Sequence, residues 1–169
     1  EQKVRFHVHT NSPSDLFFKV KDCGVVVQTK VDDMRKQYEV SHHRKWDIAF
    51  VTDSSCDLPQ EFIDEHQIQV IPFNLSFGDT QFLDKLTITP EQFYTLLRTR
   101  REHPKSSLAS VAVVQNLFSY LSTFYKSILV FQLADKLSGA CASSRQAAEK
   151  IKDNKITVID SKNLSATLG

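Results

Sequence analysis

Three short runs set the outline of this chain: IAFV at residues 48–51, ILVF at 128–131 and ITVI at 156–159. A strand with one wet face alternates apolar and polar side chains, whereas these runs are almost wholly apolar, as a strand covered on both faces requires. Helical spacing precedes the second and third. Val114, Leu117, Phe118, Leu121 and Phe124 recur at intervals of three and four, and Ala140, Ser144, Ala147, Ala148 and Ile151 make a slimmer stripe that can lie close to a sheet. Strands alternating with helices predict an α/β architecture, a mostly parallel sheet with flanking helices.

Local signals add to this outline. Thr89-Pro90-Glu91-Gln92 combines a capping box with proline at the first helical position and predicts a helix carrying Phe93, Leu96 and Leu97. Asp57 and Gln60 have the same spacing and predict a second box ahead of Phe62 and Ile63. QVIPFNLSF (69–77) reads as one strand with Ile71, Phe73, Leu75 and Phe77 on one side, while Pro72 marks it as an edge or irregular strand. Upstream the pattern changes. KVRFHVH (3–9) alternates like a half-buried strand, Ser12-Pro13 opens a helix with Leu16, Phe17 and Val20 as its apolar face, Gly24 closes it, and VVVQTKV (25–31) is a second strand. A small β-α-β segment is thus expected before the main sheet, with residues 41–46 as a polar, basic linker.

Composition narrows the function classes. A net charge of +1, from 21 basic and 20 acidic residues, supplies no field of one sign to gather nucleic acid. Three cysteines, Cys23, Cys56 and Cys141, stand far apart in no metal-ligand spacing, so reduced thiols and a cytoplasmic location are expected. No stretch reaches the length of a membrane span, and no stable membrane insertion is expected. The chain starts on Glu1 and stops at SATLG, which reads as a piece of a longer protein.

In a parallel sheet, ligands gather where strand ends lead into helix N-termini. Hydroxyl and carboxylate side chains collect there: Thr52, Asp53, Ser54 and Ser55 after the first run, Ser138 with Gly139 and then Ser143 and Ser144 after the second, and Asp160 with Ser161 after the third. A further group, Ser106, Ser107 and Ser110, precedes the helix at 114–125. Such a set suits an anion, with Gly139 letting the backbone come close; helix capping and turn formation are the ordinary alternative for each serine. Glycines only at 24, 78, 139 and 169 leave no phosphate-cradling loop. Asp53 follows a buried strand as a phosphorylatable aspartate can, which keeps a phosphotransferase or phosphatase open as a second reading. His7 and His9 share a strand face but lack a third metal ligand, so no metal site is expected.

Several motifs taken together resemble the DegV family of bacterial fatty-acid-binding proteins. They are IAFVTDSSCDLPQEFIDEHQIQVIPFNLSFGD, ITPEQFY, HPKSSLAS, LADKLSGACASS and ITVIDSKNLSATLG, in order over about residues 47–169. The resemblance implies two α/β domains with an acyl chain between them, of which this chain holds the first. It also implies that Ser106 and Ser107 stand for a Thr-Ser pair and Ser138 with Gly139 for a Ser-Gly-Thr turn, both facing the lipid carboxylate. Leu108, Ala109 and Ala140 stand where Gln, Pro and Thr are usual. Asp53, Ser54 and Ser55 join the candidate head-group residues, and Phe73 and Leu75 the tail pocket.

Residues of about 3–40 resemble something else, the C-terminal end of the dihydroxyacetone-kinase-like proteins that phosphorylate bound fatty acids. His-Val-His-Thr, Pro13, Gly24 and Asp33-Met34-Arg35 carry that likeness. Together the two resemblances imply a fatty-acid-binding module, itself without catalytic residues or cofactor, that presents a long-chain acyl carboxylate to a kinase domain in cis or in a partner protein. ATP and Mg²⁺ are expected for that kinase domain. A regulatory interaction domain with a vestigial pocket is the remaining alternative.

Overall fold

The computed structural model describes residues 3–152 and 155–165. In chain order they form α1 (Pro13–Val20), α2 (Met34–His42), β1 (Ile48–Asp53), α3 (Gln60–Glu65), β2 (Gln69–Ile71), β3 (Asn74–Phe77), β4 (Thr80–Leu83), α4 (Pro90–Thr99), β5 (Lys105–Ser107), α5 (Val111–Ser122), β6 (Ser127–Gln132), α6 (Ala140–Glu149) and β7 (Lys155–Asp160). Two compact units result, one from Glu1–Val31 with Leu75–Lys105, the other from Asp32–Asn74 with Ser106–Gly169.

The second unit holds the parallel sheet, in the order β2-β1-β6-β7. Its three apolar runs are the central and neighbouring strands, in a register that aligns Val51, Val130 and Val158. Ala49, Val51, Ile128 and Val130 close one core with Val114, Phe118 and Leu121 of α5 and Ala147 of α6. The small residues of α6 are what let it settle so close: Ala140, Cys141, Ser144 and Ala147 are all buried. Burial alternates along β6, however, with Ile128, Val130 and Gln132 buried and Leu129 and Phe131 half-buried, so one face is closed more fully than the other. Ser110 caps α5 by accepting the Val113 N–H.

Residues 41–46 are no free linker. Residues 41 and 42 complete α2, whose Val40 is buried in the sheet core. The Gln67 side chain then accepts the Lys45 N–H at 2.9 Å and donates to the His43 carbonyl at 3.0 Å, fastening the segment to the turn after α3. Paired backbone bonds of this kind turn a polar stretch into a fixed strap.

The other unit packs Phe77, Phe82, Ile88 and Leu96 with Phe18, Leu75 and Phe93. Its strands belong to a three-stranded sheet in the order β4-β3-β5. The helix expected after Ser12-Pro13 is present as α1, but residues 3–9 and 25–31 are not strands, so the β-α-β reading fails there. Alternation alone does not make a strand: a ladder needs a partner, and Val4, Phe6, Val25 and Val27 all stay exposed. One backbone bond, from the Gln81 N–H to the Val26 carbonyl, ties this segment to β4.

QVIPFNLSF is likewise two strands. Pro72 has no N–H to continue the ladder, so β2 ends at Ile71 as an edge strand and β3 begins at Asn74 in the other sheet. The box at Thr89 forms as expected, with Thr89 Oγ1 accepting the Gln92 N–H and Gln92 Oε1 accepting the Thr89 N–H. The box at Asp57 does not. Asp57 ends a 3-10 turn in the left-handed region, φ 49°, which denies it the extended backbone of an N-cap, and Pro59 takes that position instead.

Candidate functional site

β1 and β6 lie side by side in the sheet, and the chain leaves each at its carboxyl end. At the end of β1 the buried Asp53 carboxylate accepts the Ser55 N–H and hydroxyl on Oδ1 and the Leu133 N–H on Oδ2. Ser54 Oγ, fully buried, accepts the Phe73 N–H at 3.1 Å. Two of the expected head-group residues, Asp53 and Ser54, thus join β1 to β6 and to the segment after β2, while Ser55 bonds Asp53 locally. Both Asp53 oxygens are engaged within the fold.

At the end of β6 the chain turns through Ser138 and Gly139 into α6. Ser138 Oγ accepts the Ala140 N–H at 3.3 Å, a helix-entry role for the hydroxyl. Gly139 has φ −76° and ψ 12°, open to any residue, so no backbone strain demands glycine there. What lies against it is Leu108, whose Cδ1 sits 3.4 Å from where a Cβ would stand. The loop carrying Leu108 is held by Asn74 Nδ2, which donates to the Leu108 carbonyl at 3.0 Å.

Between these strand ends and the first turn of α6 lies a cavity of about 20 Å³. Its apolar wall is Ile71, Pro72, Phe73, Leu108, Ala109, Val114 and Ala140; its polar groups are Asp53, Gln132, Ser143 and Ser144. That space admits one oxygen-sized group. Of the residues expected from the sequence, Asp53 and Phe73 line it, with Ser54 and Ser55 beside Asp53. Ser106 and Ser107 are exposed on β5, and Ser138 and Gly139 precede the helix without lining the cavity. Leu75 packs in the core of the other unit, past the break at Pro72. All three positions that depart from the expected family pattern, Leu108, Ala109 and Ala140, do line it, so its wall is more apolar than the resemblance implied.

Gln132 is a lining residue that the sequence patterns did not single out. It ends the apolar run of β6 in a buried register position, which is itself a signal, since a polar side chain where Ile128 and Val130 precede it has to be satisfied by something. Next to it, the Cys141 thiol lies 3.8 Å from the Leu133 carbonyl and 3.9 Å from that of Ile159. Burial, reinforced by the Asp135 carboxylate, pushes that thiol up to about 11. At the end of β7, N–H bonds from Lys162 and Asp135 hold the Asp160 carboxyl below the ordinary carboxylate value. Among the described residues no cluster of His, Cys, Asp and Glu is arranged to hold a metal, and no helix is long and apolar enough to cross a membrane.

The profile of the DegV family of uncharacterised proteins matches residues 47–169. The chain belongs to the DegV family. Residues 1–41 match in addition the fatty acid kinase A-like middle domain. A DegV domain-containing protein of Caldanaerobacter subterraneus is 33% identical over 122 residues, which is 72% of this chain and 42% of that protein. Another, from Clostridium perfringens, is 30% identical over 72% of this chain and 44% of its own length. The chain therefore spans less than half the length of these DegV relatives. Among solved structures, a stearic acid-binding protein from Eubacterium ventriosum superposes with a TM-score of 0.62 at 31% identity, covering 71% of this chain and 42% of that one. A fatty-acid-binding DegV family protein from Thermus thermophilus gives 0.66 at 26%, covering 72% and 43%. The parallel sheet with its flanking helices is the fold these structures share.

Proposed function

We propose that this chain is the head-group half of a fatty-acid-binding site, and that the longer protein presents an acyl carboxylate to a kinase domain for phosphorylation. The observation that carries this reading is the small, mixed cavity at the strand ends beside the first turn of α6, in a family whose solved members include a fatty-acid-binding protein from Thermus thermophilus. Helix N-termini favour negative charge, and an apolar wall excludes the water that competes for it. A volume of about 20 Å³ takes a carboxylate oxygen and not an acyl tail. The tail of a long-chain fatty acid needs the part of a DegV protein that this chain does not span; burial there contributes about 0.8 kcal/mol per CH₂.

The segment resembling the fatty acid kinase A-like middle domain supports a kinase in the same polypeptide. Phosphoryl transfer, with its ATP and Mg²⁺, belongs in this reading to that kinase and not to the residues described above. Mass spectrometry of lipid extracted from the natively purified full-length protein tests the proposal. Recovery of a long-chain fatty acid is the expected result; recovery of none, with none taken up after incubation with palmitate, overturns it.

A further inference from the structure

A carboxylate needs donors, and the polar wall of the cavity beside α6 divides on that ground. Asp53 is itself a carboxylate with both oxygens engaged, and the unpaired atom of Gln132 is a carbonyl oxygen, an acceptor. Ser143 and Ser144 supply the two hydroxyls of the wall. Ala140, Ser143 and Ser144 all line the cavity at spacings of three and four, so they share the helix face turned toward it. A serine carries nothing beyond Cβ except its hydroxyl, and neither hydroxyl has a hydrogen-bond partner among the described residues. In other helices Ser41, Thr95 and Thr99 each donate to the carbonyl four residues back, at 2.9, 2.8 and 2.8 Å. Ser144 is 1% exposed, which makes its uncommitted hydroxyl costly unless something in the cavity meets it.

We infer that Ser143 and Ser144 read the head group in this chain, both donating their hydroxyls to one carboxylate oxygen of an acyl ligand. The inference rests on the fatty-acid reading above and names the residues that hold the ligand's polar end. A carboxylate oxygen accepts two hydrogen bonds, which suits two hydroxyls around a space of about 20 Å³ that holds one oxygen-sized group. A hydroxyl proton rotates to suit its acceptor, so both serines can aim at the same point. The positive end of the ten-residue helix α6 favours negative charge there. The donors thus come from within α6, whereas Ser106 and Ser107 are exposed on β5 and the Ser138 hydroxyl already accepts the Ala140 N–H.

The test is palmitate binding by isothermal titration calorimetry on the full-length protein, on Ser143→Ala, on Ser144→Ala and on the protein with both substitutions. Alanine keeps the small volume that lets α6 settle on the sheet and removes only the hydroxyl. Each single substitution is expected to weaken palmitate binding about ten-fold, and the pair to weaken it further. Ligand-free melting temperatures are expected to hold or rise, since a hydroxyl without a partner is removed and alanine favours the helix. Binding by the doubly substituted protein within about two-fold of the parent overturns the inference alone. A ligand-free melting temperature lowered by more than about 5 °C in that protein also overturns it, because the hydroxyls would then be holding the fold. If the parent takes up no palmitate, the fatty-acid reading falls, and the role of the two serines with it.

Discussion

The Asp53 carboxylate accepts the Leu133 N–H at 2.9 Å across 80 residues of sequence, joining the carboxyl ends of β1 and β6 where both are buried. Its other oxygen takes the Ser55 N–H. Asp53→Ala leaves the Leu133 donor buried without a partner, and a bond to a charged acceptor is lost with it. Chemical denaturation is expected to show a loss of about 3 kcal/mol, with Asp53→Asn losing less because its amide oxygen can still accept one N–H. A loss below about 0.5 kcal/mol for Asp53→Ala would show that the carboxylate is not a staple.

Cysteine reactivity follows from the same region. Cys23 is exposed whereas Cys56 and Cys141 are buried. At pH 8 a disulfide reagent is expected to label Cys23 rapidly and the other two only in denaturant. A stability effect accompanies this. The Cys141 thiol titrates at about 11 in the folded chain against 9.0 when free, so its contribution is complete below pH 9 and is lost as pH rises toward 11. The denaturation midpoint is expected to fall over that interval, and less so in Cys141→Ala.

Thr89 tests a capping motif visible in the sequence. Its side chain accepts the Gln92 N–H at 3.2 Å, and Gln92 returns a bond to the Thr89 N–H at 3.0 Å. Thr89→Ala is expected to cost about 1 kcal/mol, read from the denaturation midpoint of the full-length protein. Asp57 has the same spacing to Gln60 but caps no helix: its side chain accepts the Ser165 hydroxyl instead, and its backbone lies in the left-handed region.

The contrast between Thr89 and Asp57 marks what sequence can and cannot carry. Periodicity and capping chemistry are local, so the apolar runs, the α6 stripe and the Thr89 box are all legible. Asp57 fails because the backbone around it is already committed by the 3-10 turn at Ser54–Cys56, a tertiary consequence of the Asp53 and Ser54 staples. The alternation in residues 3–9 and 25–31 is legible too, but a strand is a relation between two segments and alternation reports on only one. The site shows the same division. Hydroxyls at the strand ends are easy to find, yet whether each faces a ligand or a backbone N–H depends on partners tens of residues away. Gln132 carries a readable sign, a polar residue closing an apolar run, that a search for clustered hydroxyls does not catch.

Gly139 is where the fold and the proposed ligand can be separated. With φ −76° it needs no glycine, and an added Cβ would meet only the flexible end of Leu108, at 3.4 Å. Gly139→Ala also removes freedom from the unfolded chain, which favours the folded state by up to about 1 kcal/mol. The melting temperature of the ligand-free full-length protein is therefore expected to hold or rise slightly. A Cβ that presses on the flexible Leu108 side chain, which lines the cavity, is expected to weaken palmitate binding several-fold. The pair of measurements distinguishes two meanings for this glycine. Unchanged stability with weakened binding shows that the space beside α6 is kept clear for a ligand; weakened stability would mean that Leu108 cannot move, and that the glycine serves packing alone.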